Sequence, residues 1–266
     1  MDSIFRYDFH VHSYHSPCAK DKDGAHPFNL LQRAAAMGIE TIAFSDHFAQ
    51  FPPYALPEYA HCGPPMIAAL RQEIERVSTD VRVLFSCEVD VIAPGTICID
   101  AAYAAQLDFV MAACSHFHLP GVVDPASDDP RTIAEHYLAF LDDALDVPFV
   151  AVIAHPFHTP HMPYGVPETY MQTIQDEELY RLAEKARHNR VAFDVNDHLG
   201  RYPELAAATK RFYNICQEVG CRFIHGSDAH HYDQLGPSAS MENAIRALGL
   251  RVEHFLDADE LLTRDW

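Results

Sequence analysis

Seven strand-length apolar runs, alternating with stretches of helical periodicity, constrain this chain more than any other feature of its sequence. The runs are Arg6–His10, Glu40–Ser45, Val81–Cys87, Leu107–Ala113, Pro148–Ala154, Arg190–Val195 and Cys221–His225. They are rich in Val, Ile and Phe, as strands buried in a parallel sheet are. Between them lie candidate helices over Phe28–Met37, Met66–Val77, Arg131–Leu145, Glu177–His188, Glu204–Val219 and Met241–Leu248. The third connection, around Cys98–Ala105, is the shortest. Met37-Gly38, Val219-Gly220 and Leu248-Gly249 supply the glycine that commonly ends a helix. Strand alternating with helix predicts an α/β fold with a parallel sheet closed into a TIM-like barrel, with an open doubly wound sheet as the alternative.

No repeat, linker or low-complexity segment interrupts the pattern, so residues 1–266 read as a single domain. The loops Pro52–Pro65 and His155–Pro167 read as long active-site loops and not as boundaries. The formal net charge of -19 disfavours a nucleic-acid binder, because a phosphate backbone selects for Lys and Arg. Bound cations would offset part of that charge. Seven cysteines without CxxC spacing suggest free thiols in a reducing compartment. The N-terminus carries no signal-peptide pattern, and no apolar stretch is long enough to span a bilayer. The expected address is the cytoplasm.

The chemistry is written after the strands. In order come Asp8-Phe9-His10-Val11-His12, Ser45-Asp46-His47, Cys87-Glu88-Val89-Asp90, Ser115-His116-Phe117-His118, Ala154-His155-Pro156, Asp194-Val195-Asn196 and Gly226-Ser227-Asp228-Ala229-His230. The C-terminal strand ends of a parallel barrel form one rim, so seven segments deliver His, Asp or Glu to one place. Taken singly, each motif has an ordinary explanation, such as a helix cap or a packed histidine. Accidents should not follow every strand. Imidazole and carboxylate without paired thiolates suit Zn, Mn or Fe at a catalytic site. His10 and His12 can reach one ion only where the strand bends or ends. A carboxylate such as Glu88 can bridge two ions. His15, His26, His61, His136, His188 and His254 read as surface or packing residues, and Cys87, Cys114 and Cys216 as small core residues.

As a set, Asp8-x-His10-x-His12-Ser13, Ser45-Asp46-His47, Glu88, His116, Ala154-His155-Pro156-Phe157 and Gly226-Ser227-Asp228-Ala229-His230 resemble the polymerase-and-histidinol-phosphatase (PHP) superfamily. The motifs span nearly the whole chain in that family's order. The resemblance implies a distorted seven-stranded parallel (βα)7 barrel, a centre of two or three divalent metal ions, and phosphoesterase activity. It implies that His10, His12, Glu88 and Asp228 surround one ion, with Glu88 bridging to a second held by His116 and His155. His47 and His230 would belong to a third, and Asp46 would orient a ligand. Asn196-Asp197-His198-Leu199-Gly200-Arg201 resembles the Asn-Thr-Ser-Gly-Leu-Arg stretch of histidinol-phosphate phosphatases, which makes Arg201 a candidate phosphate clamp. The chain departs from that pattern at His231, where those enzymes tend to carry Arg. It departs again at Cys18, where the third site's His usually stands.

The expected function is hydrolysis of a small-molecule phosphomonoester by metal-activated water. Glu88, Asp228 and His230 carry the chemistry, and Arg201, His118 and Asn196 contact substrate. The alternatives are a phosphodiesterase or exonuclease acting on nucleotides, although acidity disfavours long polymers, and a non-catalytic metal-binding module. Neither a membrane nor a long nucleic acid is an expected partner, and the oligomeric state is open. The third ion's remaining ligand is left among His15, Cys18 and Asp21.

Overall fold

The computed structural model describes residues 4–51, 59–158 and 167–266. Residues 52–58 and 159–166, which hold parts of the two loops read as active-site loops, lie outside the described residues. All seven expected strand positions are occupied. The first is β1 (Tyr7–Val11). The second breaks into β2 (Thr41–Phe44) and β3 (His47–Phe48), and the third into β4 (Arg82–Phe85) and β5 (Glu88–Ala93). A short β6 (Thr96–Ile97) folds back on β5. The rest are β7 (Val110–Ala113), β8 (Val150–Ala154), β9 (Ala192–Asn196) and β10 (Phe223–Gly226).

Hydrogen bonding runs β1-β2-β4 in one sheet and β10-β9-β8-β7-β5-β3 in the other, all parallel apart from β6. The breaks do not interrupt the backbone ladder. The N–H groups of Ser45, Ser86 and Glu88 reach the carbonyls of Val11, Phe44 and Asp46 at 2.9, 2.9 and 3.0 Å. β1 and β10 also meet at their C-terminal ends. There Asp228 N–H donates to the His10 carbonyl at 2.8 Å and His12 N–H to the Ala229 carbonyl at 2.9 Å. One apolar cluster draws on Phe9, Ala43, Leu84, Met111, Val152, Ala192 and Ile224, so strands from both sheets share an inner face. Leu256, Ala258 and Leu261 join that cluster.

Among the described residues, nine helices cover the outer faces, α1 (Pro27–Met37), α2 (Pro64–Ile74), α3 (Ala101–Ala104), α4 (Pro130–Leu145), α5 (Pro167–Met171), α6 (Asp176–Asn189), α7 (His198–Arg201), α8 (Pro203–Val219) and α9 (Ala239–Ala247), while α10 (Ala258–Thr263) packs on the inner cluster. The expected helices are present with ends shifted by a few residues. α1 and α8 stop at Gly38 and Gly220 in the left-handed conformation that glycine adopts without penalty.

Three expectations need correction. The third run does not stop at Cys87, because β5 continues to Ala93 and Pro94-Gly95 turns the chain into β6. Gly95 has φ 74, the value a type II turn needs at its third position. The sixth strand starts at Ala192 and not at Arg190, since Arg190 caps α6 with φ 53. The fifth starts at Val150, after a Pro that cannot donate to a ladder. All seven cysteines are free. No helix among the described residues is long and apolar enough to cross a membrane.

Candidate metal centre

The strand ends place the side chains named from sequence around one buried carboxylate. The register of β1 against β2 shifts between Asp8 and Val11, which is the bend that His10 and His12 require to face one point. Their Nε2 atoms lie 3.2 Å apart. Asp228 (φ 53) and His155 (φ 26) adopt backbone conformations that side-chain-bearing residues rarely take, and both turn inward immediately after a strand. Gly226 has the same local origin. A Cβ there would stand 2.5 Å from both Asp194 Oδ1 and the His10 Cβ, so only glycine lets β10 approach the floor of the site.

Glu88, 1% exposed at the start of β5, divides its two oxygens. Oε1 faces His155 Nε2 at 2.8 Å and His116 Nε2 at 3.5 Å. Oε2 faces His47 Nδ1 at 3.1 Å, His12 Nε2 at 3.6 Å and His10 Nε2 at 3.7 Å. Across the site, Asp228 Oδ1 lies 3.0 Å from His12 Nε2, 3.6 Å from His10 Nε2 and 3.7 Å from His230 Nδ1. Potential ligand atoms fall within 4.8 Å of one another in His10–His12–Glu88, His47–Glu88–His116, His10–His155–Asp228, His12–Asp228–His230 and His12–Cys18–His47.

Around these residues a set of acceptors fixes the histidines. His10 Nδ1 meets Asp194 Oδ2 at 2.9 Å and His116 Nδ1 meets Asp90 Oδ1 at 2.6 Å. His155 Nδ1 lies 3.0 Å from Ser115 Oγ, and His230 Nδ1 lies 2.8 Å from the Asp228 carbonyl. His12 is held through a relay. Ser16 Oγ gives its proton to Asp46 Oδ1 at 2.7 Å, which leaves it to accept from His12 Nδ1 at 3.0 Å. Asp46 also takes the Ser13 N–H and hydroxyl at 2.7 and 2.8 Å. With Nδ1 committed to an acceptor, the tautomer assigned from these partners leaves the Nε2 lone pair facing the centre, the arrangement a ligating histidine needs.

The electrostatics agree with that design. Burial pushes the Glu88 carboxyl up, but His116, His47 and His10 outweigh it and hold it well below the usual range. Asp228 is held low in the same way by His10 and His12. Two buried carboxylates therefore stay ionised and demand positive charge. Protons can supply it: despite burial, Asp228 and Glu88 hold His10 well above its ordinary value, and Glu88 and Asp90 raise His116 to about 9. A divalent cation can take the same place. Burial lowers His12 to about 4 and His47 to about 3, so both rings are neutral donors at physiological pH. His47 Nδ1 is buried and makes no hydrogen bond although Glu88 Oε2 faces it at 3.1 Å, so a cation between the two would satisfy both. The donor set fits divalent metals.

The remaining candidates separate. His118 follows β7, its ring 5.5 Å from that of His116. Asn196 is 1% exposed, with its carbonyl accepting from His198 N–H at 2.8 Å and its amide directed at Asp194 at 3.3 Å, so it holds the turn from β9 into α7. Arg201 is exposed at the last turn of α7, and its charge helps burial push His198 down to about 4. Of the three loop candidates, Cys18 reaches the centre, its Sγ 2.8 Å from His230 Nε2. His15 turns to Glu73 at 3.3 Å, and Asp21 binds the backbone of Asp23 and Gly24. Sequence reasoning did not single out Ser16, Asp90 or Asp194 as partners of the ligand histidines, nor the pair His158–His198. That pair's Nδ1 atoms are 3.0 Å apart, with His198 3.6 Å from Asp228. Asp90, two residues beyond Glu88 on one strand, had a visible spacing; Ser16 had none.

An α/β fold with a parallel sheet, carrying a ring of histidines about a buried carboxylate pair, defines a class of metal-site proteins. Within that class the chain belongs to the PHP domain family, whose match covers residues 8–198. It is 26% identical, over 87% of this chain and 82% of the relative, to a protein from Acetivibrio thermocellus named "Probable phosphatase". Its fold is similar to that of histidinol phosphate phosphatase from Lactococcus lactis subsp. lactis, solved with zinc, L-histidinol and phosphate. That similarity has a TM-score of 0.58 and 16% identity and covers 93% of this chain and 95% of that one. A chain in the cryo-EM structure of archaeal ribonuclease P with mature tRNA is also similar in fold, with a TM-score of 0.51 and 10% identity over 97% of this chain and 87% of that one.

Proposed function

We propose that this protein is a metal-dependent phosphoesterase that hydrolyses small-molecule phosphomonoesters. The observation that carries the reading is Glu88, whose two oxygens face two different sets of histidines. His10, His12, Glu88 and Asp228 form one ligand set, Glu88, His116 and His155 a second, and His47 with His230 part of a third. Family membership and likeness to a protein named as a probable phosphatase support phosphoester chemistry. The same reading takes the two sheets as one distorted seven-stranded barrel, closed where β1 meets β10. Zn, Mn or Fe in these sets would acidify an attacking water and neutralise charge on the phosphate.

The chain's own residues do the rest. Glu88 and Asp228 remain ionised at neutral pH and keep their oxygens available. Asp194, Asp90 and the Ser16–Asp46 relay hold the imidazoles at fixed angles, so little reorganisation is needed when substrate arrives. His230 lies at the exposed side of the cluster, its side chain 27% exposed, where a leaving group would emerge. Arg201 and His118 flank the site as substrate contacts, and the Arg201 fork suits phosphate. A net charge of -19 sets long nucleic acids against a repulsive surface, which favours small esters over polymers.

The test is phosphate release from panels of phosphomonoesters and phosphodiesters, using chelator-treated protein supplied with Zn, Mn or Fe in turn. Metal-dependent release from monoesters is the expected result. Turnover of diesters alone would move the assignment to a phosphodiesterase. No release from either panel with any metal bound would leave a non-catalytic metal-binding module.

A further inference from the structure

Where the segments after β1 and β3 meet the start of α2, the structure holds a cavity of about 450 Å³, within the size range of small-molecule sites. Short spans of chain tie it to the metal centre. His15 lines it three residues beyond His12. Ala49 lines it two residues beyond His47, which keeps the two Cα atoms within about 7 Å of each other. Tyr59, which immediately precedes the lining residue Ala60, sets its ring 5.8 Å from that of His47. Arg201, the candidate phosphate clamp, follows β9, which lies across the β3-β5-β7-β8-β9 ladder from this cavity. The cavity and that guanidinium therefore occupy different sectors of the rim.

The walls are unsuited to an anion. Ala49, Ala60, Pro64, Met66 and Ala69 are apolar, and no Lys or Arg lines the cavity among the described residues. The N-terminus of α2 reaches it, and a helix N-terminus ordinarily offers N–H groups to an anion. Here those groups are missing or spent. Pro64 and Pro65 have no N–H, while the Gly63 and Met66 N–H groups donate to the His61 and Gly63 carbonyls, each at 2.9 Å. The polar lining residues are committed as well. The Gln50 side-chain amide pairs at both ends with Asp100, at 2.9 and 3.0 Å, and His61 Nε2 donates to the His15 carbonyl at 2.7 Å. A charged group buried here would lose its hydration and gain little in return, whereas an apolar group would gain by leaving water.

We propose that this cavity is the leaving-group pocket of the phosphoesterase, and that it selects monoesters of compact, uncharged, apolar alcohols over esters that carry a second anionic group. The inference rests on the phosphoesterase reading above and names the substrate class of that same centre. The phosphate lies at the histidine and carboxylate cluster, and the carbon body of the alcohol fills the space between His15, Ala49 and α2. A carboxylate or second phosphate on that body meets no cation there and no free helix N–H.

Ethyl phosphate, phenethyl phosphate and carboxyethyl phosphate all release a primary alkoxide of similar basicity, so differences among them report the pocket and not the chemical step. Metal-loaded wild-type protein should hydrolyse phenethyl phosphate with a kcat/KM at least about tenfold above that of ethyl phosphate, and carboxyethyl phosphate more slowly than either. This comparison needs no variant to fold. Ala69→Phe places a ring in the cavity from α2 and should cut the phenethyl-to-ethyl ratio to about twofold or less, with metal content measured as the check that the centre is intact. Equal kcat/KM for the three esters in an active wild type, or a phenethyl preference that survives in folded Ala69→Phe, would overturn the pocket and leave the phosphoesterase reading intact. No phosphate release from any of the three with metal bound would overturn the phosphoesterase reading, and the leaving-group role with it.

Discussion

Asp194 and His10 stand 184 residues apart in the chain, yet the carboxylate meets the His10 Nδ1 at 2.9 Å with both side chains fully buried. That contact decides which nitrogen His10 turns to the centre. Asp194→Ala should therefore weaken metal binding about 10- to 100-fold, and Asp194→Asn, which keeps an acceptor, by less. Competition titration against a chromogenic chelator measures both. Equal affinities for wild type and Asp194→Ala would show that the contact does not orient a ligand.

Gly226 links the fold to the same histidine. An added Cβ would fall 2.5 Å from the His10 Cβ and Asp194 Oδ1. Gly226→Ala should cost about 1–3 kcal/mol of stability through overpacking and should also lower metal content. Denaturant unfolding and elemental analysis separate the two effects. A variant with native stability and full metal content would mean that the floor of the site yields more readily than its packing suggests.

Much of this was legible before any coordinates. Repeated runs such as Pro148–Ala154 announce buried strands, and the motifs behind them announce a shared rim. What sequence could not supply is pairing at a distance. Nothing local to Asp194 says that it will lie under His10, and nothing in Ser16 says that it will pass Asp46's charge to His12. The broken strands were missed for a related reason. Glu40–Ser45 and Val81–Cys87 read as continuous runs, but the chain leaves strand geometry at Ser45-Asp46 and Ser86-Cys87, between β2 and β3 and between β4 and β5. Periodicity reports burial and is blind to such kinks.

Arg201 tests the phosphate clamp. Losing a charge-assisted contact should cost about 1.5–3 kcal/mol, or about 10- to 150-fold in kcat/KM for a phosphomonoester. Steady-state kinetics of Arg201→Ala against wild type gives the value. Because the side chain is exposed, stability should hardly change. Unchanged kinetics would place the clamp elsewhere on the rim.

Metal affinity should rise with pH. In metal-free protein His116 titrates near 9, because Glu88 and Asp90 outweigh the effect of its burial, and His10 is likewise raised. Both are protonated at neutral pH, and a cation must displace those protons. Binding should release protons at about pH 7 and tighten as pH climbs, levelling above about 9. Calorimetry in buffers of different ionisation enthalpy counts the protons. Affinity flat between about pH 6 and 8 would contradict the coupling.

The central claim is that Glu88 joins two cation sets into one hydrolytic centre. Its most direct test is Glu88→Gln, with metal content and phosphate release measured on the same folded sample. The amide keeps the shape of the side chain but is a poor bridge between two positive ions. Loss of bound metal, together with a fall in phosphate release of at least about 100-fold, is the predicted result. A Glu88→Gln protein that keeps its full complement of metal and wild-type turnover would contradict the account.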